Sequence, residues 1–131
     1  MKYLLDTDTL IYWLKGDRNI DSKIQAVPYA DLCISVVSLA ELYYGAYKSV
    51  RIQENLENIK RIKNKFQILK IQENTVEEFG KIKSDLYKKG ISVGDFDILI
   101  ASISRALNLK LVTNNVRHYS RITTIEIENW K

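Results

Sequence analysis

A chain of 131 residues with 46% hydrophobic and 27% charged residues has the makeup of a globular protein with a buried core, which excludes an intrinsically disordered segment. The formal net charge of +4 admits polyanions as partners without requiring them, and gains weight only if basic residues surround an acidic site. The single cysteine, Cys33, excludes an internal disulfide and, within an apolar run, reads as a buried inert thiol. No apolar run reaches the roughly 18 residues of a membrane helix, and the chain enters a strand-like segment at once without a signal pattern. The expectation is a cytoplasmic protein, residues 1–131 forming one domain, with no membrane contact.

Tyr3-Leu4-Leu5 is a short apolar run ending at Asp6, the pattern of a buried parallel strand with an acid at its tip. Thr7, Asp8 and Thr9 all suit a helix cap, and Leu10, Ile11, Trp13 and Leu14 follow at helical spacing up to Gly16. In open α/β sheets such a junction beyond the carboxyl end of a strand is where ligands bind. Asn19 to Val27 predicts a short helix that Pro28 ends before a second strand, Leu32-Cys33-Ile34. Ser35 can cap a helix running through Tyr47, with Glu41 among apolar neighbours. Ser49 to Phe66 predicts an amphipathic helix with Arg51, Lys60, Arg61, Lys63 and Lys65 on one side, either a solvated face or an RNA contact.

Phe66 to Ile71 alternates like a third strand, and Thr75 to Lys89 is helical with Gly90 as its stop. Gly94 and Asp95 open an apolar helix, Leu109 to Thr113 is a strand, and Thr123 to Ile127 is the last strand candidate. Strands alternating with helices predict one α/β domain around a mainly parallel sheet.

Carboxylates beside buried elements are costly to desolvate, so each needs a partner, a cap role or a metal. Asp6 is a functional candidate, because Thr7, Asp8 and Thr9 are better placed to cap the helix. Asp8 reads most simply as that cap, with a supporting metal role as its alternative. Ser38 and Glu41 match a capping box, yet Ser35 offers an earlier start that puts Glu41 on the face of Val37 and Tyr44; both readings stay open. Asp95 and Asp97 point about 200° apart on a helix. Asp95, after Gly94, reads as the cap, and Asp97, in line with Ile100, Ala101 and Ser104, as the site residue. Asn115 reads as a turn residue past a strand. If Asp6, Glu41 and Asp97 meet at the strand tips, their repulsion calls for a hard cation with oxygen ligands. Mg2+ fits best, with Mn2+ as a substitute, and a water on such an ion is a nucleophile for a phosphodiester.

The segments LLDTDTLIYWLKG, ISVVSLAELYYGAYKS, VGDFDILIASISRALNLKLVTNN and IEIENW, taken together, resemble the PIN-domain ribonucleases, and specifically the VapC-type toxins of bacterial toxin–antitoxin pairs. The resemblance runs from Met1 almost to Lys131 and rests on the order and spacing of Asp, Glu and Asp. It implies a PIN-like three-layer α/β/α fold with a mainly parallel central sheet. It gives Asp6, Glu41 and Asp97 as the catalytic, metal-holding acids, with Thr7, Asp8, Thr113 and Asn115 in support. Asn115 stands where many members carry a fourth acid, so a second metal would be held less firmly. The implied reaction is Mg2+-dependent endonucleolytic hydrolysis of RNA, with Arg117 and Arg121 at the rim holding the backbone. A homodimer and a cognate antitoxin protein are implied as well. His118 is expected to be an exposed surface residue, since a metal-based mechanism does not need it.

Two rivals remain. A haloacid-dehalogenase-like phosphatase would use Asp6 as nucleophile and Asp8 as general acid, and would leave Glu41 without a role. A catalytically weak antitoxin-binding PIN module would have lost its chemistry through Asn115, with Tyr43, Tyr44 and Tyr47 lining its groove.

Overall fold

In the computed structural model, which describes residues 1–131, five short strands form one sheet: β1 (Tyr3–Leu5), β2 (Leu32–Ser35), β3 (Gln67–Leu69), β4 (Lys110–Val112) and β5 (Glu126–Glu128). Their order is β3-β2-β1-β4-β5 and every pairing is parallel. Parallel neighbours need crossovers, and helices supply them: α1 (Thr7–Leu14) and α2 (Arg18–Ala26), then α3 (Val36–Lys48) and α4 (Ile52–Lys65), then α5 (Glu73–Lys88) and α6 (Asp95–Leu107). A one-turn helix, α7 (Val116–Tyr119), lies between β4 and β5.

Alternation along the strands sorts the core into two layers. Leu4, Cys33 and Leu111 pack with Ile82 and Leu86 of α5 and Ile98, Ala101 and their neighbours of α6. Leu5, Ile34 and Val112 pack on the other face with Leu10 of α1, Ile20 and Ile24 of α2, and Ile59 and Ile62 of α4. Because both faces are covered, the strands read as continuous apolar runs. Cys33 is completely buried, and burial pushes its thiol up to about 12, so it is inert as expected. Helix α3 serves both layers, Val37 joining the first and Leu39 and Ala46 the second.

The chain builds outward from β1 to β3 on one side, then returns to place β4 on the other side of β1. That reversal leaves a crevice at the carboxyl ends of β1 and β4, the position that favours ligands in open α/β sheets. The two tips are stitched together: Asp6 N donates to Val112 O at 2.9 Å, and the Thr9 hydroxyl donates to the same carbonyl at 3.1 Å.

Four local expectations need correcting. The basic helix starts at Ile52 rather than Ser49, because the Ser49 hydroxyl closes α3 on Ala46 O at 2.8 Å and accepts from the Asn55 side chain. The last strand is Glu126–Glu128 rather than Thr123–Ile127, since Thr124 takes a φ of 63° and breaks the extended run. Gly94, not Asp95, is the cap of α6, and Asp95 pairs with Lys83 at 2.8 Å. Asp6 itself caps α1, accepting from Thr7 N at 2.8 Å, because the helix begins directly at the strand tip; Asp8 is left free of that duty.

Leu4 lies fully buried on the central strand. Leu4→Ala should therefore lower unfolding stability by about 2–5 kcal/mol in urea titrations, whereas an exposed change such as Lys63→Ala should stay within about 0.5 kcal/mol.

Candidate active site

Each expected acid arrives at the crevice on a different element, and each for a local reason. Asp6 follows the last buried residue of β1 and is itself buried, 5% exposed. Its Oδ1 accepts from Thr7 N, and its Oδ2 accepts from the Thr113 hydroxyl at 2.9 Å. Asp8, one residue into α1 beyond Thr7, turns toward β4, where Asn114 N donates to its Oδ2 at 3.1 Å and Thr113 Oγ1 stands 3.3 Å away.

Glu41 does not fold back on its own helix. Ser35 caps α3, accepting from Ser38 N at 3.1 Å, and this places Glu41 in the second turn, facing α1. There the Thr7 hydroxyl donates to Glu41 Oε1 at 2.8 Å and stands 2.9 Å from Ser38 Oγ. Asp97, in the first turn of α6, receives the Tyr119 hydroxyl on Oδ1 at 3.1 Å and His118 Nε2 on Oδ2 at 2.9 Å.

The electrostatics of the group are those of uncompensated negative charge. Asp6 is raised from 3.8 to about 7, first by burial and then by the Asp8 carboxylate, with Asp97 adding to the effect and the Thr113 and Thr7 hydrogen bonds opposing it. Burial also raises Glu41, partly offset by the Thr7 hydrogen bond and reinforced by Asp97 and Asp8. No lysine or arginine pairs with Asp6, Asp8, Glu41 or Asp97. Tyr119 is completely buried; burial and the Asp6 and Asp97 carboxylates hold its phenol far above its ordinary range, so its hydroxyl remains a donor.

Does this donor set suit a cation? No three His, Asp or Glu side chains form a ready cage. Mg2+ does not require one, because it keeps several waters and is commonly held by one or two carboxylates together with substrate phosphates. Mutually destabilised carboxylates without a basic neighbour are the chemistry such an ion relieves.

The remaining expectations divide. Thr7 donates to Glu41 and Thr113 to Asp6, Asp8 meets Thr113 and Asn114 N rather than another acid, and Asn115 donates its backbone N–H to Thr113 Oγ1 at 3.0 Å. Asn115, Arg117, His118 and Arg121 line an open polar depression beside the acids. His118 is not the exposed bystander expected: its side chain is 23% exposed and it rests on Asp97. Both His118 and Tyr119 come from α7, whose four residues are too few to show a helical period. The aromatic groove is also different. Tyr44 and Tyr47 point to solvent at 68% and 62% exposure. The groove between α1, α3 and α4 is instead lined by Ile11, Leu14, Leu42 and Ala46, with Glu41 and Arg51 among its polar residues.

The raised Asp6 makes a signed prediction for metal-free protein. In the fold Asp6 holds its proton to about 7, against 3.8 for the ordinary side chain, so stability falls as pH rises through that window. The slope from this group is at most roughly 1.4 kcal/mol per pH unit. Asp6→Asn should gain on the wild type between pH 5 and pH 7 in chelator-containing urea titrations. A constant difference between the two proteins would show that Asp6 does not titrate there.

Known proteins resemble this chain over nearly its whole length. The PIN domain family matches residues 3–123. Ribonuclease VapC2 of Haemophilus influenzae is 37% identical over 131 residues, covering 99% of this chain and 98% of the relative. The tRNA(fMet)-specific endonuclease VapC of Salmonella typhimurium is 33% identical, covering 99% and 98%. In a crystal structure of DNA-bound VapBC from Salmonella typhimurium, a chain 33% identical to this one superposes with a TM-score of 0.95, covering 100% of this chain and 99% of that one. Nothing in these relatives favours a phosphatase, and Asp8, its required general acid, is occupied by Asn114 N and Thr113. The chain belongs to the PIN-domain family and, within it, to the VapC ribonucleases.

Proposed function

We propose that this chain is the toxin of a toxin–antitoxin pair, an endoribonuclease of the cytoplasm that hydrolyses RNA phosphodiesters with Mg2+ held by Asp6 and Asp97. What supports this reading is that Asp6, Glu41 and Asp97 stand near enough to act on one another electrostatically, with no lysine or arginine paired to any of them. PIN-domain nucleases of the VapC type depend on divalent metal, and the oxygen donors here suit Mg2+, with Mn2+ as a substitute. Bound there, the ion supplies Lewis-acid polarisation of the phosphate and lowers the pKa of water.

The chain's own residues do the rest. Asp6 and Asp97 keep unshared lone pairs beyond the hydrogen bonds that orient them. Glu41, held by Thr7 and made more basic by burial, is suited to accept the proton of the attacking water. Arg117, exposed on α7 beside the acids, suits the RNA backbone, which binds through phosphate contacts without regard to sequence. With the neutral Asn115 in place of a fourth acid, one ion per chain is the fitting stoichiometry.

The relatives suggest the substrate and the partner to try first. A relative acts on tRNA(fMet), which makes transfer RNA the first substrate to assay, and a neighbouring structure is a VapBC complex, which supports a cognate antitoxin. Glu41 is among the residues that line the groove between α1, α3 and α4, so a segment lying in it would reach that acid. A homodimer completes the proposed assembly.

Purified protein incubated with transfer RNA should cut it only when Mg2+ or Mn2+ is present, and expression without antitoxin should arrest growth. Asp97→Asn should lower cleavage by about 100-fold or more, since a metal centre contributes several kcal/mol to such a transition state. Cleavage and growth arrest unchanged by Asp97→Asn would defeat the reading.

A further inference from the structure

Tyr119 and His118 each give one hydrogen bond to Asp97, on different oxygens, and a third residue controls the second of these. Arg121 Nη2 stands 2.9 Å from His118 Nδ1, and Arg121 Nε donates to the His118 carbonyl at 3.3 Å. A guanidinium has donors and no acceptor. Its contact with Nδ1 is a hydrogen bond only if Nδ1 offers a lone pair, so the ring proton of the neutral imidazole sits on Nε2. That proton points at Asp97 Oδ2, 2.9 Å from Nε2.

We infer that His118 is a positioning residue for Asp97, kept in its Nε2–H form by Arg121, and that Arg121 serves the site through this imidazole rather than chiefly through RNA phosphate. The inference rests on the reading of Asp97 as a cation-holding acid. Two donors on two oxygens fix the plane of the carboxyl group and leave the other lone pairs free for an ion. Donors that hold a metal ligand from behind govern affinity in the same way elsewhere. The competing role, His118 as a nitrogen ligand, fails on the same geometry. It needs the Nε2 lone pair, which would move the proton to Nδ1 and set it against a guanidinium N–H.

The chain has a single histidine, so imidazole 15N resonances of protein without a histidine tag report on this residue alone. In mildly alkaline buffer, where an ordinary imidazole is neutral, the wild type should show Nε2 protonated and Nδ1 bare. Both should stay so when Mg2+ is added. Arg121→Met should release the tautomer and let an Nδ1–H fraction grow. Calorimetric titration with Mg2+ should show affinity weakened about 10–100-fold in His118→Leu. His118→Gln, whose amide N–H can reach the same oxygen, should restore most of it, with KM for RNA unchanged at saturating Mg2+ in both.

Loss of the Nε2 proton on adding Mg2+ would make His118 a ligand and overturn the inference. So would wild-type affinity in His118→Leu. A protein that cleaves no RNA but shows the fixed tautomer and His118-dependent Mg2+ binding would instead sink the nuclease reading and leave the role of His118 intact.

Discussion

Four carboxylates crowd the carboxyl end of the sheet without a lysine or arginine paired to any of them, and most of the local design follows from that charge. Asp6 is forced up to about 7 by burial and by Asp8. The fold tolerates the group by giving the acids neutral donors: Thr7 N and its hydroxyl, the Thr113 hydroxyl, Asn114 N and the Tyr119 hydroxyl, with the His118 ring also against Asp97. Neutral donors hold carboxylates in place without cancelling their charge. A salt bridge would have done the opposite, stabilising the fold while removing the field that draws a cation.

The architecture brings the acids together with little spare structure. A parallel sheet puts the ends of β1, β2 and β4 on one edge, and the reversal of strand order beside β1 opens the crevice there. Asp6 and Thr113 then need only follow their strands. Glu41 depends on α3 starting at Ser35, and Asp97 on α6 starting at Gly94. Both helices carry their acid within the first two turns, close to the sheet edge, and pack apolar residues elsewhere on their length against the layers beneath.

Much of this was legible in residue pattern. The parallel sheet followed from apolar runs alternating with helical periods, and the acid at the β1 tip from a strand ending in Asp6. Choosing Asp97 over Asp95 needed only the angle between neighbours on a helix, and Asp95 lies outside the site, paired with Lys83. Glu41 was ambiguous because a capping box and a site acid share one local pattern; the contact with Thr7, 34 positions away, removes the capping box. The helix α7 escaped because four residues carry no period, and with it went the roles of His118, Tyr119 and Arg121. The duty of Asp6 as a cap was misread for a related reason: strand and helix meet without a linking residue, so the acid at the tip does both jobs.

A cation that relieves this charge must stabilise the folded protein, and must do so through these acids. Thermal unfolding of metal-free protein titrated with Mg2+ at neutral pH, run beside Asp6→Asn and Asp97→Asn, measures this directly. The wild type should gain stability with ion concentration, about 2.7 kcal/mol at a hundredfold excess over Kd, while both variants stay nearly flat. An equal rise in all three proteins, or none in the wild type, would contradict a cation site built from Asp6 and Asp97.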